Sequence, residues 1–220
     1  MNISRKIILA TVLLSGIGIF SAGSLVGWKS SSVAAIALEK IVFEQLVTIR
    51  EVQINQIERY FSTIAKGITT LSNNHMVMDM MEELPLPFSQ YGQQTRLQEG
   101  GQLKGYYTQK FDEEYRSQNP SSSSSSTSKL TQLSDNTRLI QHAYISGNSN
   151  PLGSKNQLVS AEDGTRYSEL HKKYHPYLNQ YLESFGFYDI FLVEPETGFV
   201  VYSVFKELDF ATSLYSGPRN

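Results

Sequence analysis

Apolar and polar positions change rhythm several times along this 220-residue chain, and each change predicts an element. Residues 7–28 carry no charged side chain and directly follow Arg5 and Lys6. At 1.5 Å per helical residue the run spans ~33 Å, against a bilayer hydrocarbon core of ~30 Å, which predicts a transmembrane helix. A cleaved signal peptide competes with this reading, because Ser21, Ala22, Gly23 and Ser24 are small. The run is longer than an ordinary signal-peptide core, so an uncleaved anchor is preferred. Lys29 and Lys40 partly offset Arg5 and Lys6, and the balance places residues 1–6 in the cytoplasm and the bulk of the chain outside it. Gly23 and Gly27 form one GxxxG, a pattern too common in such helices to carry an argument.

Residues 29–84 contain no proline, and Ile57, Phe61, Ile64, Ile68 and Leu71 recur at alternating steps of four and three. That spacing predicts a long amphipathic helix. Phe43, Leu46 and Ile49 continue the stripe less regularly, with Arg50 and Gln53 intruding where a coiled-coil seam would be apolar. Gly67 and the pair Asn73 and Asn74 are the expected breaks. Met76, Met78, Met80 and Met81 read as core filler, and Pro85 and Pro87 close the segment. A weaker helix over 97–115 presents Leu103, Tyr106, Tyr107 and Phe111 on one face, interrupted by Gly100, Gly101 and Gly105. Residues 117–128, with Asn119, Pro120 and a run of serines, lack the apolar surface to offset chain entropy and predict a flexible loop.

Asp135 is the expected N-cap of a short helix carrying Leu139, Ile140, Ala143 and Tyr144. Turn formers fill 147–157, which predicts a surface loop. A further helix is expected over 165–185, with Leu170, Tyr174, Leu178, Tyr181, Leu182 and Phe185 on one side and Gly186 as its stop. Pro176 predicts a kink in it, or a second start at His175. Residues 189–193 and 199–205 favour β-branched and aromatic side chains around a turn holding Pro195 and Gly198, which predicts a hairpin. Both strands are apolar at nearly every position, so both are expected to be covered on two faces, in the middle of a sheet. Sheets usually have about four to six strands, so the chain reads as truncated within this domain.

Composition adds limits. A hydrophobic share of 40% with 11% aromatic residues suffices for a core and excludes wholesale disorder. Net charge is −2, and with Arg5 and Lys6 set aside 17 basic residues face 21 acidic ones, so no nucleic-acid surface is implied. The absence of cysteine removes disulfides and thiolate metal sites, and leaves either side of a membrane open. His171 and His175 stand one helical turn apart, a spacing that brings two rings to one metal ion. Lys172 occupies the position where a zincin motif needs its general-base Glu, so no metal site is assigned and a membrane-anchored metal-dependent hydrolase is the lesser alternative. No P-loop, GxSxG or Rossmann glycine pattern occurs, no catalytic residue is assigned, and no cofactor is expected. Asp189, Tyr202, Ser203, Lys206, Glu207, Asp209 and Thr212 cluster on and around the hairpin. Buried polar groups need partners, and the preferred partners are within the fold rather than on a ligand.

The segments FEQLVTIREVQINQIERYFSTI at 43–64, KGYYTQKF at 104–111, YISGNSNPLGSK at 144–155, DGTRYSELHKKYHPYL at 163–178 and the hairpin through Gly217 and Pro218 carry a resemblance. Together they resemble the extracytoplasmic sensor regions of bacterial transmembrane receptors with PAS-like Cache domains. The resemblance implies an α+β fold with an N-terminal transmembrane helix, a long amphipathic helix and a partial PAS/Cache-like antiparallel sheet with covering helices. It implies a cytoplasmic N-terminus at 1–6, the span at 7–28, a stalk or sensor helix at 29–84, a variable region with the Ser-rich loop at 85–134, and an incomplete Cache-like sensor domain at 135–220. Similar receptors signal through chemotaxis, nucleotide cyclase or histidine kinase regions, none of which is in this chain, so the chain itself is not expected to be an enzyme. The resemblance further implies a ligand pocket between sheet and helices, lined by Tyr202, Lys206, Asp209 and Thr212. The implied partners are the membrane, a small-molecule ligand and a second copy in a homodimer, with no nucleic acid. The implied location is the bacterial inner membrane, single-pass, with the bulk periplasmic. A structural protein dimerising through its long helix is the remaining alternative.

Overall fold

The computed structural model describes residues 3–120 and 126–217. They fall into two compact units, residues 1–69 and 70–220. The first unit is a single element, helix α1 (Ile3–Ser72), whose final turn belongs to the second unit. The uncharged run and the amphipathic run form one uninterrupted helix of 70 residues. Hydroxyls inside the apolar stretch are satisfied by the helix itself, Thr11 Oγ1 donating to the Ile7 carbonyl and Ser15 Oγ to that of Thr11. Leu14, Ile17, Phe20 and Trp28 are exposed in that stretch, as are Phe43, Leu46, Ile57 and Phe61 further on. Among the described residues α1 is the one helix long and apolar enough to cross a membrane.

Gly67 does not break this helix; it is helical and buried. The break falls at Asn73 and Asn74, where the Asn74 side chain accepts the Met76 N–H at 2.9 Å and caps α2 (His75–Glu83). A helical glycine costs only about 1 kcal/mol, whereas a capping side chain satisfies a backbone donor that the helix end would otherwise leave unpaired. The long helix therefore ends at Ser72, at the expected Asn73–Asn74 break, and the rest of the segment up to the prolines is a separate helix.

In the second unit α2 is followed by α3 (Pro85–Ser89), which Pro85 begins, and α4 (Tyr91–Gln94). The weak helical stretch becomes α5 (Gln102–Gly105), a π-helix (Tyr106–Phe111) and α6 (Asp112–Gln118). Residues 121–125 of the expected flexible loop lie outside the described residues, but its end is not loose. Ser126 is buried, its N–H donating to Asp112 Oδ1 and its hydroxyl to the Tyr107 carbonyl, just before α7 (Thr127–Leu130). Helix α8 (Asp135–Gln141) is capped by Ser134, not Asp135: Ser134 is extended and its hydroxyl accepts the Thr137 N–H. Asp135 is already helical there, where its charge favours the N-terminal end of the dipole. A second π-helix (His142–Ser146) and a 3₁₀ turn (Lys155–Gln157) lead to α9 (Arg166–Phe185).

Helix α9 has the caps its sequence predicts, Thr165 accepting the Ser168 N–H and Gly186 taking φ +66° at the stop. It runs unbroken across Pro176 and does not restart at His175. Lys172 and Pro176 are both exposed, so the carbonyl that loses its N–H partner there is open to hydration.

Strands β1 (Phe191–Val193) and β2 (Val200–Ser203) pair antiparallel, Leu192 opposite Tyr202, with a bulge between Leu192 and Val193. Every residue of β2 is buried, as a strand covered on both faces should be. β1 departs from that expectation, with Phe191 exposed and Val193 half-buried. Both strands are also shorter than the apolar runs, because Asp189 ends the ladder: its carboxylate accepts the N–H groups of Val204 and Phe205 and the Ser203 hydroxyl. The turn closes with the Gly198 N–H on the Glu194 carbonyl and Gly198 at φ +72°, where a Cβ would sit 2.8 Å from the Tyr215 ring. The architecture is thus mostly helical with one small antiparallel sheet, a mixed α+β unit whose core joins Met80, Leu84, Tyr91, Ile140, Leu178 and Val201 among others.

Candidate functional site

Two polar regions of the second unit hold chemistry, one closed and one open. The closed region starts on α9, whose period puts His171 and His175 on the same buried face with rings stacked 4.6 Å apart. His175 Nε2 lies 2.6 Å from the Asn156 carbonyl, which only accepts, so Nε2 carries the proton and bare Nδ1 accepts the Tyr202 hydroxyl at 2.7 Å. His171 Nδ1 donates to the Val159 carbonyl at 2.6 Å. Its Nε2 is left bare, with no partner among the described residues. Burial holds both imidazoles neutral, His171 well below the usual range and His175 at about 3, and the nearby Lys206 charge pushes the same way. Lys206 is itself fully buried in a left-handed conformation at φ +57°, its Nζ donating to the Val204 carbonyl at 2.8 Å. Burial lowers its pKa to about 7 against the opposing pull of Asp189. Tyr167 donates to the Val201 carbonyl and Tyr144 to Ser168 Oγ, completing the aromatic surround. With both His175 nitrogens engaged, the two histidines do not converge on a common vacant point. Among the described residues no group of three or more His, Asp or Glu is placed to hold a metal ion.

The open region is a cleft of about 570 Å³, a size that suits a small organic molecule. Its walls include Tyr106, Phe111, Glu114, Tyr115, Tyr188 and Glu207. The π-helix explains one wall: its wider i to i+5 turn brings Tyr106 and Phe111 to one side, and Tyr115 then stacks on Phe111 at 6.0 Å. The Asp112 and Ser126 hydrogen bonds fix this helical stretch, while Leu103 and Tyr107 bury its other side. On the opposing wall Tyr188 is 79% exposed, stacks on Phe205 at 6.3 Å and donates to Glu207 Oε2 at 3.1 Å. Glu207 has no ion-pair partner among the described residues. Its pKa is raised by burial and by the charges of Asp209 and Asp189, with the Tyr188 hydrogen bond opposing. The Tyr106 hydroxyl is pushed up to about 12, by burial first and then by Glu207.

The four residues expected to line a ligand pocket are divided by the structure, and none of them is on the cleft wall. Tyr202 and Lys206 are fully buried in the closed cluster. Asp209 is exposed, and half-buried Thr212 donates to the Asp209 carbonyl at 2.7 Å, closing a local turn. Glu207, their sequence neighbour, does line the cleft, as does Tyr188 at the entrance to the hairpin. The available signal was an aromatic residue beside a polar one at a strand mouth, which does not by itself separate a cleft wall from a core. Compared with family models, with curated proteins and with solved structures, the chain finds no match.

Proposed function

We propose that this chain is the extracytoplasmic ligand-sensing region of a bacterial membrane receptor, anchored by residues 7–28 in the inner membrane, with its second unit a PAS-like, Cache-type sensor on the periplasmic side. The observation that carries this reading is the open, aromatic-walled cleft in a unit whose chain also holds a helix of membrane-spanning length and apolarity. A cleft of this size beside a buried, hydrogen-bonded core is the expected form of a small-molecule site. Helix α1 supplies the route for the signal, since it is continuous through residues 7–28 and its Leu71 packs on the core of the second unit. A ligand would act by favouring one of two packings around that last turn, and its difference in affinity for the two sets the size of the response. A homodimer through the exposed apolar positions of α1 is part of the same proposal, and the output lies in a signalling region or partner outside this sequence.

The test is thermal melting of the full chain in lipid nanodiscs against amino acids, organic acids, amines and sugars. A ligand at about 100 times its Kd stabilises by about 2.7 kcal/mol, and roughly 2–4 °C of melting shift accompanies each kcal/mol for a unit of this size. At least one chemical class should therefore raise the melting temperature by several degrees. No shift from any class would remove direct small-molecule sensing and favour a protein partner.

A further inference from the structure

We infer that the cleft takes an organic cation, a primary amine or quaternary ammonium ion, held against the rings of Tyr106, Tyr115 and Tyr188 by the Glu207 carboxylate. The inference rests on the cleft being the sensor's ligand site and adds the chemical class of the ligand.

The wall composition is one-sided. Among the described residues, four aromatic rings and two carboxylates face the cleft, and no lysine or arginine does. Glu114 accepts from Gln118 Nε2 at 2.7 Å, and Glu207 from the Tyr188 hydroxyl, so both carboxylates meet neutral donors here. A half-buried carboxylate with no counter-ion is costly, and a cation entering the cleft offsets that cost. Asp209 and Asp189 add to the negative field at Glu207. The aromatic faces carry the same preference, because a ring's quadrupole attracts a cation within about 6 Å of its centroid. Tyr106 already shows this chemistry: Lys155 Nζ sits over its ring at 5.4 Å. Lys155 is buried and tied to the Asn148 carbonyl at 2.6 Å, and it is not among the residues that line the cleft. An anionic ligand would meet two carboxylates and the negative faces of the rings, and a neutral one would leave Glu207 uncompensated.

The experiment is calorimetric titration of the full chain in nanodiscs with choline, putrescine, 3,3-dimethylbutan-1-ol and malonate. The alcohol has the shape of choline without its charge. Choline or putrescine should bind, with the neutral isostere and malonate weaker by about tenfold or more. Glu207→Gln should weaken the cation by about tenfold, Tyr188→Leu should weaken it several-fold, and Tyr188→Phe, which keeps the ring, should retain most of the affinity. Equal binding of choline and its isostere, unchanged affinity in Glu207→Gln, or no heat from either cation would each overturn the inference. A neutral or anionic compound that binds and is displaced by Leu152→Trp, at the cleft wall, would overturn it while leaving small-molecule sensing intact. Absence of binding by every class would overturn both readings together.

Discussion

The closed cluster and the open cleft use similar residues to opposite ends. Around His171, His175, Tyr202 and Lys206, tyrosine, imidazole and ammonium groups are buried and, His171 Nε2 apart, paired with backbone carbonyls or one another. Around Tyr106, Tyr188 and Glu207, the Tyr188 ring is open, Tyr106 is buried in the cleft wall, and the carboxylate lacks a counter-charge among the described residues. Polar groups that the fold satisfies hold the fold; polar groups that it leaves wanting are free to recognise something else. The largest effect expected from this contrast is at His175. His175→Leu strips the Tyr202 hydroxyl and the Asn156 carbonyl of their partner at once, and a buried unsatisfied group costs about 1–3 kcal/mol. The variant should lose about 3 kcal/mol. Near-UV circular dichroism follows this melt well, because the core is rich in tyrosine and the one tryptophan, Trp28, lies in the apolar stretch of α1. A melt unchanged from the parent would mean that the closed cluster does not support the fold.

Titration separates the two regions further. His175 is held at about 3 in the folded chain and His171 well below its ordinary value, against about 6.5 when unfolded. The unfolded chain therefore binds more protons than the folded one below pH 6.5, and stability falls as the solution is acidified. Between pH 6.5 and 5 the His175 contribution alone amounts to about 2 kcal/mol, and His171 adds in the same direction. Asp189, Glu207 and Asp209, whose pKa values are raised, act with the opposite sign, but mainly nearer the ordinary carboxylate range. Denaturant melts at pH 6.5 and pH 5 should show the loss in the parent and about half of it or less in His175→Gln. Equal losses in both proteins would place the acid sensitivity outside this cluster.

How far the sequence foretold this arrangement differs between the same two regions. Helix α9, with Thr165 and Gly186 at its ends, and the turn at Gly198 were legible because their causes are local: a cap, a stop and a left-handed backbone position lie within a few residues of what they determine. The apolar run over 7–28 was legible as helix for the same reason. What escaped was set by distant contacts. Ser126 looked like one serine in a solvated tract until Asp112 and the Tyr107 carbonyl engaged it. Tyr106 and Phe111 read as an ordinary apolar face, since a π-turn that redirects both toward a cleft leaves no period in the sequence. Tyr202 and Lys206 were expected to line a pocket only through the resemblance to sensor domains, while the residues themselves pointed to partners within the fold; their place is in the interior, beside α9 for Tyr202. Which polar residue is buried and which faces open space depends on elements many residues away, and no local pattern encodes it.

The smallest expected effect is therefore the most discriminating. Glu207→Gln and Tyr188→Leu alter residues at the cleft, not in the core, and substitutions away from buried contacts usually change stability by no more than about 0.5 kcal/mol. Glu207→Gln should be at least as stable as the parent at neutral pH, because burial and the charges of Asp209 and Asp189 disfavour the ionised carboxylate that it replaces. Tyr188→Leu gives up its stacking on Phe205 and its bond to Glu207, both at the surface, and should melt within about 2 °C of the parent. If either variant instead lost stability on the scale of His175→Leu, the cleft wall would be part of the fold's support and the distinction between the two regions would fail. If both melt as the parent does, Glu207 and Tyr188 are dispensable to the folded state, and a half-buried carboxylate with no counter-ion among the described residues has its explanation in what the cleft binds.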